Sequence, residues 1–119
     1  MADKTLFERI AEGGIPADIV YQDEHCVCFR DIHPQAPVHL LLVPRRPVPR
    51  LTAAEPAEPA DHALLGHLLV KTRTIAEEQG IAASGFRVII NNGPDAGEEI
   101  PHLHLHILGG KPLGPMLAR

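Results

Sequence analysis

Near the end of the chain, His102-Leu103-His104-Leu105-His106-Ile107-Leu108 alternates three histidines with aliphatic residues. Alternation of this kind marks a half-buried β-strand, because successive strand side chains point to opposite faces. Leu103, Leu105 and Ile107 are therefore expected in a core, and His102, His104 and His106 along the other face. Alternate strand residues sit roughly 6.5–7 Å apart, so the imidazoles could act along one phosphate group or share one metal ion. Folding needs neither, and the pattern asks for a functional explanation.

The rest of the chain supplies what such a strand packs against. Lys4 to Ala11 reads as a short helix with Leu6, Phe7 and Ile10 on one face, ended by Gly13-Gly14. Ala17 to Gln22 and His25 to Asp31 are expected as strands of a hairpin about a turn at Asp23-Glu24. Two prolines make Asp31 to Pro37 a loop. Val38 to Val43 is almost continuously apolar and reads as a central strand, with His39 an unusual member. Pro44 to Arg50 is expected as a solvated connection carrying Arg45, Arg46 and Arg50. Thr52-Ala53-Ala54-Glu55 has the spacing of a capping box, and Asp61 is a second candidate N-cap. From His62 to Gln79, Leu64, Leu65, Leu68, Leu69, Ile75 and Ala76 recur at helical spacing, with His62 and His67 off the stripe on the surface and Gly80 as C-cap. Phe86 to Ile90 is a further strand, joined to the histidine strand by a loop from Gly93 to Glu99. Gly109-Gly110 closes that strand, and no regular element is expected in the tail from Lys111 to Arg119.

A chain of 119 residues reads as one domain. A formal net charge of −4 argues against general binding to nucleic acid or anionic membranes, though not against one nucleotide held by local groups. No apolar run reaches the ~18 residues of a membrane span, and Met1-Ala2-Asp3-Lys4 lacks an apolar signal segment, so a cytoplasmic location is expected. Cys26 and Cys28 are expected on opposite sides of a strand, poor geometry for a mutual disulfide, and read as small buried apolar residues.

Two chemistries fit the histidines. Zinc often takes three histidines and a water, and His39 could join two from the last strand, but no carboxylate or cysteine of ligand spacing accompanies them. Alternatively, a neutral imidazole attacks phosphorus while a second donates a hydrogen bond to a phosphoryl oxygen. Gly93 and Gly97 would let loop N–H groups turn toward the anion, with Asn91 a further neutral donor. His104, flanked on both sides by histidine, is the better nucleophile candidate, and His106 the phosphate donor.

His102 to Leu108 resembles the signature of the histidine triad (HIT) superfamily. The blocks Ile15 to Tyr21, Phe29 to Ile32, Pro34 to His39 and Leu108 to Met116 resemble its Hint branch, especially the bacterial HinT members, in the same order. The likeness implies an α+β fold, a five-stranded antiparallel sheet with one long and one short helix, two such sheets being joined across a homodimer. It implies binding of purine nucleoside monophosphates and hydrolysis of nucleoside phosphoramidates and aminoacyl adenylates, without cofactor or metal. By the same likeness His104 is the nucleophile, His106 contacts phosphate, the His102 carbonyl orients His104, and His39 belongs to the supporting network. Asp31 would take the ribose hydroxyls, and Ile32 with Leu6, Phe7 and Ile10 would wall the base pocket. Asn91 and Gly97-Glu98-Glu99 match the phosphate loop, and the tail from residue 111 to 119 would reach the partner's site beyond a core of residues 1–110.

Two departures stand out. Glu98 replaces the usual Gln, placing a second carboxylate beside Glu99 at an anion site, and Pro101 replaces a residue that is often aromatic. Within the superfamily, dinucleoside polyphosphate hydrolysis as in the Fhit branch, nucleotidyl transfer, and a nucleotide-binding regulatory role are the competing expectations.

Overall fold

A computed structural model of the chain describes residues 4–117. Residues 1–3, read above for the absence of a signal segment, and the last two residues of the tail lie outside the described residues. The element order is α1 (Leu6–Ala11), β1 (Ile19–Gln22), β2 (Cys26–Arg30), β3 (Val38–Pro44), α2 (Pro59–Glu78), β4 (Phe86–Ile89) and β5 (Leu105–Gly109), with short 3-10 turns at Leu51–Ala53 and Pro94–Ala96. The strands form one antiparallel sheet in the order β1-β2-β3-β5-β4. This is the expected five-stranded sheet with one long and one short helix.

Strand parity divides the interior in two. Cys26, Cys28, Leu40, Leu42, Leu105 and Ile107 point to the face covered by α2, where they meet Leu68, Ile75 and Ala76. Val27, Phe29, Leu41 and Val43 point to the other face, where they meet Phe7 and Ile10 of α1. A short amphipathic helix covers only part of that second face, and the uncovered part becomes the pocket described below. Both faces of β3 are thus occupied, which accounts for its continuous apolar run.

Several expectations are corrected, one by strand parity and the others by contacts that spacing does not reveal. Cys26 and Cys28 share one face, as residues two apart on a strand must, and both are fully buried free thiols that burial pushes up to about 12. The long helix starts three residues early, with Pro59 in its first turn and Glu58 as the N-cap accepting from the Ala60 N–H. Asp61 instead pairs with Arg46 and accepts the Glu55 N–H. The capping box at Thr52 does not form; that segment is a 3-10 turn. Leu69 turns outward, 55% exposed, and Thr72 takes its place on the buried stripe. His67 is not a free surface residue, since its Nε2 lies 2.8 Å from Asp23. Arg45 is likewise tied down, donating to the Asp23 and Ala11 carbonyls.

The histidine strand begins at Leu105 rather than His102. The N–H groups of His102 and Leu103 bond to the carbonyls of Ile100 and Val48, outside the strand ladder, so the chain only joins the sheet after His104. At its other end Gly110 takes φ +96°, and a Cβ there would lie 2.9 Å from Pro37; the glycine is required by both conformation and space. Among the described residues, no helix is long and apolar enough to cross a membrane.

Candidate active site

β3 and β5 lie side by side with Leu41 opposite His106 and His39 opposite Leu108. His39 and His106 therefore sit diagonally on the α1 face, where their rings are 5.2 Å apart. His104 and His106, two residues apart, put their rings 5.1 Å apart on that same face. They border a cavity of about 630 Å³, a size suited to a small organic ligand.

Backbone groups set the protonation of these rings, because a backbone N–H can only donate and a carbonyl only accept. The Nδ1 of His104 is 2.8 Å from the His102 carbonyl, so Nδ1 carries the proton and Nε2 keeps its lone pair. The Nδ1 of His39 is 3.0 Å from the Gln35 N–H and must accept. Its Nε2 then donates to Nδ1 of His106 at 2.9 Å, which leaves the Nε2 of His106 as an N–H donor. The cavity is thus lined by one nucleophilic nitrogen and one hydrogen-bond donor on neighbouring rings. Burial first, then the neighbouring His104 and His39, lowers His106 to about 4 and keeps it neutral. His39 is also shifted down by burial, against the pull of Asp31.

His102 does not line the cavity. It is fully buried beneath α1, with Phe7 edge-on to its ring. Its Nε2 donates to the Pro44 carbonyl at 2.7 Å, and its Nδ1 accepts from the Thr5 hydroxyl at 2.8 Å. Thr5 in turn is the N-cap of α1, in a capping box with Glu8. Burial holds His102 below its usual value, consistent with a neutral ring whose two nitrogens are both satisfied. The three strand histidines therefore do not converge on one point. Donor atoms of Asp31, His39 and His106 do lie within 4.8 Å of one another, but the two imidazoles there are joined by the hydrogen bond just described.

The other expected residues divide as follows. Leu6, Phe7 and Ile10 from α1, Asp31 and Ile32 after β2, and Asn91, Gly97 and Glu99 after β4 all border the cavity. Asp31 accepts the His33 N–H at 2.8 Å and lies 3.4 Å from Nε2 of His39. Ile32 is 86% exposed, a bare aliphatic side chain on the rim. The Asn91 amide donates to the Ala96 carbonyl at 2.8 Å and so holds the loop. The N–H groups of Ala96, Gly97 and Glu98 bond inside that loop, which corrects the expectation that they face an anion. Among the described residues the Glu99 N–H makes no hydrogen bond and remains available.

Glu98 is the exception. It does not border the cavity; its carboxylate is turned onto Arg50, with contacts of 2.9 to 3.2 Å, and onto the Gly93 N–H. Arg50 and that N–H hold its carboxyl below the usual range, so it is charged and paired. Sequence reasoning missed Phe29 and Leu41 on the cavity floor and Ile15 to Asp18 on its rim. Parity and register would have placed the first two, since Leu41 lies opposite His106 and Phe29 lies opposite Leu41. Nothing local marks Thr5 or Arg50.

The match to known proteins agrees with this geometry. The HIT domain family model matches residues 12–113. An uncharacterized HIT-like protein of Synechocystis is 54% identical over 94% of this chain and 95% of its own length. The purine nucleoside phosphoramidase of Escherichia coli K12 is 45% identical over 99% of this chain and 97% of its own. Among solved structures, a histidine triad protein from Clostridium difficile superposes with a TM-score of 0.89 at 38% identity, covering 98% of this chain and all of that one. A HIT family hydrolase from Legionella pneumophila gives 0.85 at 36%, covering 93% and 100%. With its paired pocket histidines, its sheet order and these matches over nearly its whole length, the chain belongs to the HIT domain family.

Proposed function

We propose that this protein hydrolyses the P–N bond of purine nucleoside phosphoramidates, and the P–O bond of the related aminoacyl adenylates, releasing the nucleoside monophosphate. The observation that carries the reading is the pair of fixed tautomers: an unprotonated Nε2 on His104 beside an Nε2–H on His106, both on the cavity. The name of the Escherichia coli relative supports the same bond class.

In the first step Nε2 of His104 attacks the α-phosphorus. A P–Nε2 bond forms, the P–N bond to the amine breaks, and the amine takes a proton from water as it leaves, since an amide anion is a very poor leaving group. The positive charge that develops on the ring is met by the His102 carbonyl already bonded to Nδ1. The Nε2–H of His106, the Glu99 N–H and the second Asn91 amide hydrogen hold the phosphoryl oxygens. Water then cleaves the nucleotidyl-histidine. In this reading Asp31 takes the ribose hydroxyls, Gly97 shapes the phosphate loop, and Leu6, Phe7, Ile10 and Ile32 enclose the base. The residues require no metal or cofactor for these steps.

The reading extends to one domain over 1–119, a cytoplasmic location and a homodimer. β4 is a sheet edge, and Arg87 on it donates to the Gly114 carbonyl at 2.9 Å, which draws the tail along that edge. Two copies joined there would bring each tail toward the other's cavity. A monomer in sedimentation at micromolar concentration would contradict the pairing.

The decisive comparison is turnover of an adenosine phosphoramidate against a diadenosine polyphosphate, in wild type and His104→Ala. Preference for the phosphoramidate, abolished by the substitution, is expected. Preference for the polyphosphate would assign the chain to another HIT chemistry, and nucleotide binding without turnover would make it a binding protein.

A further inference from the structure

The connection between β3 and α2 was expected to be a solvated loop, yet it and the last residue of β3 are tied four times to the segment that leads into the candidate active site. The Pro44 carbonyl accepts from Nε2 of His102 at 2.7 Å, and the Val48 carbonyl accepts from the Leu103 N–H at 2.7 Å. Further along, Arg50 grips Glu98 through Nε and Nη2, and Asn92 Oδ1 accepts from both the N–H and the hydroxyl of Thr52, at 3.0 and 3.2 Å. The ties pair residues 44 and 48 with 102 and 103, and residues 50 and 52 with 98 and 92. The loop from Asn92 to His102 is therefore fastened along its length to a second strand of chain that does not touch the cavity.

Arg50–Glu98 is the one ionic tie in the series. The Glu98 side chain is only 12% exposed and also accepts the Gly93 N–H at 3.1 Å, so a single carboxylate closes the loop on itself and onto Arg50. Glu98 is followed directly by Glu99, whose N–H makes no hydrogen bond among the described residues. Glu98 stands between Gly97 and Glu99, which both border the cavity, so without its guanidinium partner its charge would repel an anion bound there, and added salt would weaken that repulsion. Arg50 itself is not among the cavity residues.

We propose that Arg50 is a positioning residue for the phosphate subsite: through Glu98 it clamps the 93–99 loop, and it cancels a negative charge that would otherwise oppose phosphate binding. The binding half rests on the nucleotide reading above; the clamp half does not. Glu98 thereby fills the place usually held by an uncharged Gln without harming an anion site, because its charge arrives with a counter-charge.

The test uses the full chain, with AMP as the probe and with amide hydrogen exchange on the free protein. Arg50→Ala is expected to speed exchange at Gly93 and Glu98, to weaken AMP by about tenfold at low salt, and to raise KM more than it lowers kcat. Arg50→Lys should restore much of the binding, as a point charge without the bidentate fork. Glu98→Gln alone should bind AMP somewhat more tightly than wild type. The double variant Arg50→Ala/Glu98→Gln should recover most of the lost affinity, and the Arg50→Ala defect should shrink at high salt. A merely structural role predicts neither the recovery nor the salt effect. Unchanged exchange in Arg50→Ala would overturn the clamp whatever the ligand data. A double variant as weak as Arg50→Ala would overturn the charge compensation. If wild type bound no AMP at all, the nucleotide reading would fall, and the exchange experiment would still decide the clamp.

Discussion

The Nε2 of His39 lies 2.9 Å from Nδ1 of His106, and this hydrogen bond decides which way the His106 ring presents its proton to the cavity. The direction is inherited from the Gln35 N–H, which leaves His39 Nδ1 no choice but to accept. A residue outside the cavity lining thus sets the donor on a residue that borders it. Replacing His39 by Leu removes the relay and leaves His106 free to take the opposite tautomer. Loss of a buried hydrogen-bond partner costs ~1–3 kcal/mol, so turnover should fall by about tenfold or more with a smaller change in KM. Steady-state kinetics measure the fall, and the ring nitrogen shifts of His106 report the tautomer. Wild-type kinetics in the variant would show that the relay is idle.

Stability should depend on pH through the same rings. Burial, reinforced by His104 and His39, lowers His106 to about 4 from its ordinary 6.5, and burial lowers His39 and His102 as well. Between about 4 and 6.5 the unfolded chain therefore holds more protons at His106 than the folded one. The stability conferred by a neutral His106 is complete above 6.5 and is lost as the pH falls toward 4. Denaturant unfolding should be nearly constant from pH 7 to 8 and weaken steadily below 6.5. His106→Asn should flatten that decline. A wild-type profile level down to pH 4.5 would contradict the neutral-ring account.

Thr5 joins the first helix to the buried histidine. Its hydroxyl accepts from the Glu8 N–H and donates to Nδ1 of His102. Thr5→Val keeps the shape but loses both bonds, and an N-cap alone is worth ~1 kcal/mol. A loss of about 1–2 kcal/mol is expected by chemical denaturation, with Thr5→Ser close to wild type. Equal stability of the valine variant would mean that His102 finds another donor.

The parts of this molecule that sequence alone displays are the periodic ones. Leu105 and Ile107 lie in the core and His106 on the opposite face because a strand enforces that alternation, and His104, just before the strand, keeps the same parity. The apolar run from Val38 gave a central strand for the same kind of reason. What stayed hidden depends on pairs far apart in the chain. His67 meets Asp23, Arg46 meets Asp61 and Arg50 meets Glu98 only after folding, so arginines and a histidine that looked solvated are tied in place. His102 belongs by spacing with its neighbours, yet is buried, because the backbone before His104 bonds to the β3–α2 connection and not to the sheet. The separation of the buried His102 from His104 and His106 at the cavity is a tertiary fact.

The account's central claim is a transient bond between phosphorus and Nε2 of His104. Intact-mass and peptide mass spectrometry of protein quenched during turnover of a slow adenosine phosphoramidate tests it directly. One nucleotidyl group per chain, mapped to His104 and absent from His104→Ala, is the predicted result. Active turnover with no adduct, or an adduct on His106, His39 or any other side chain, would contradict it.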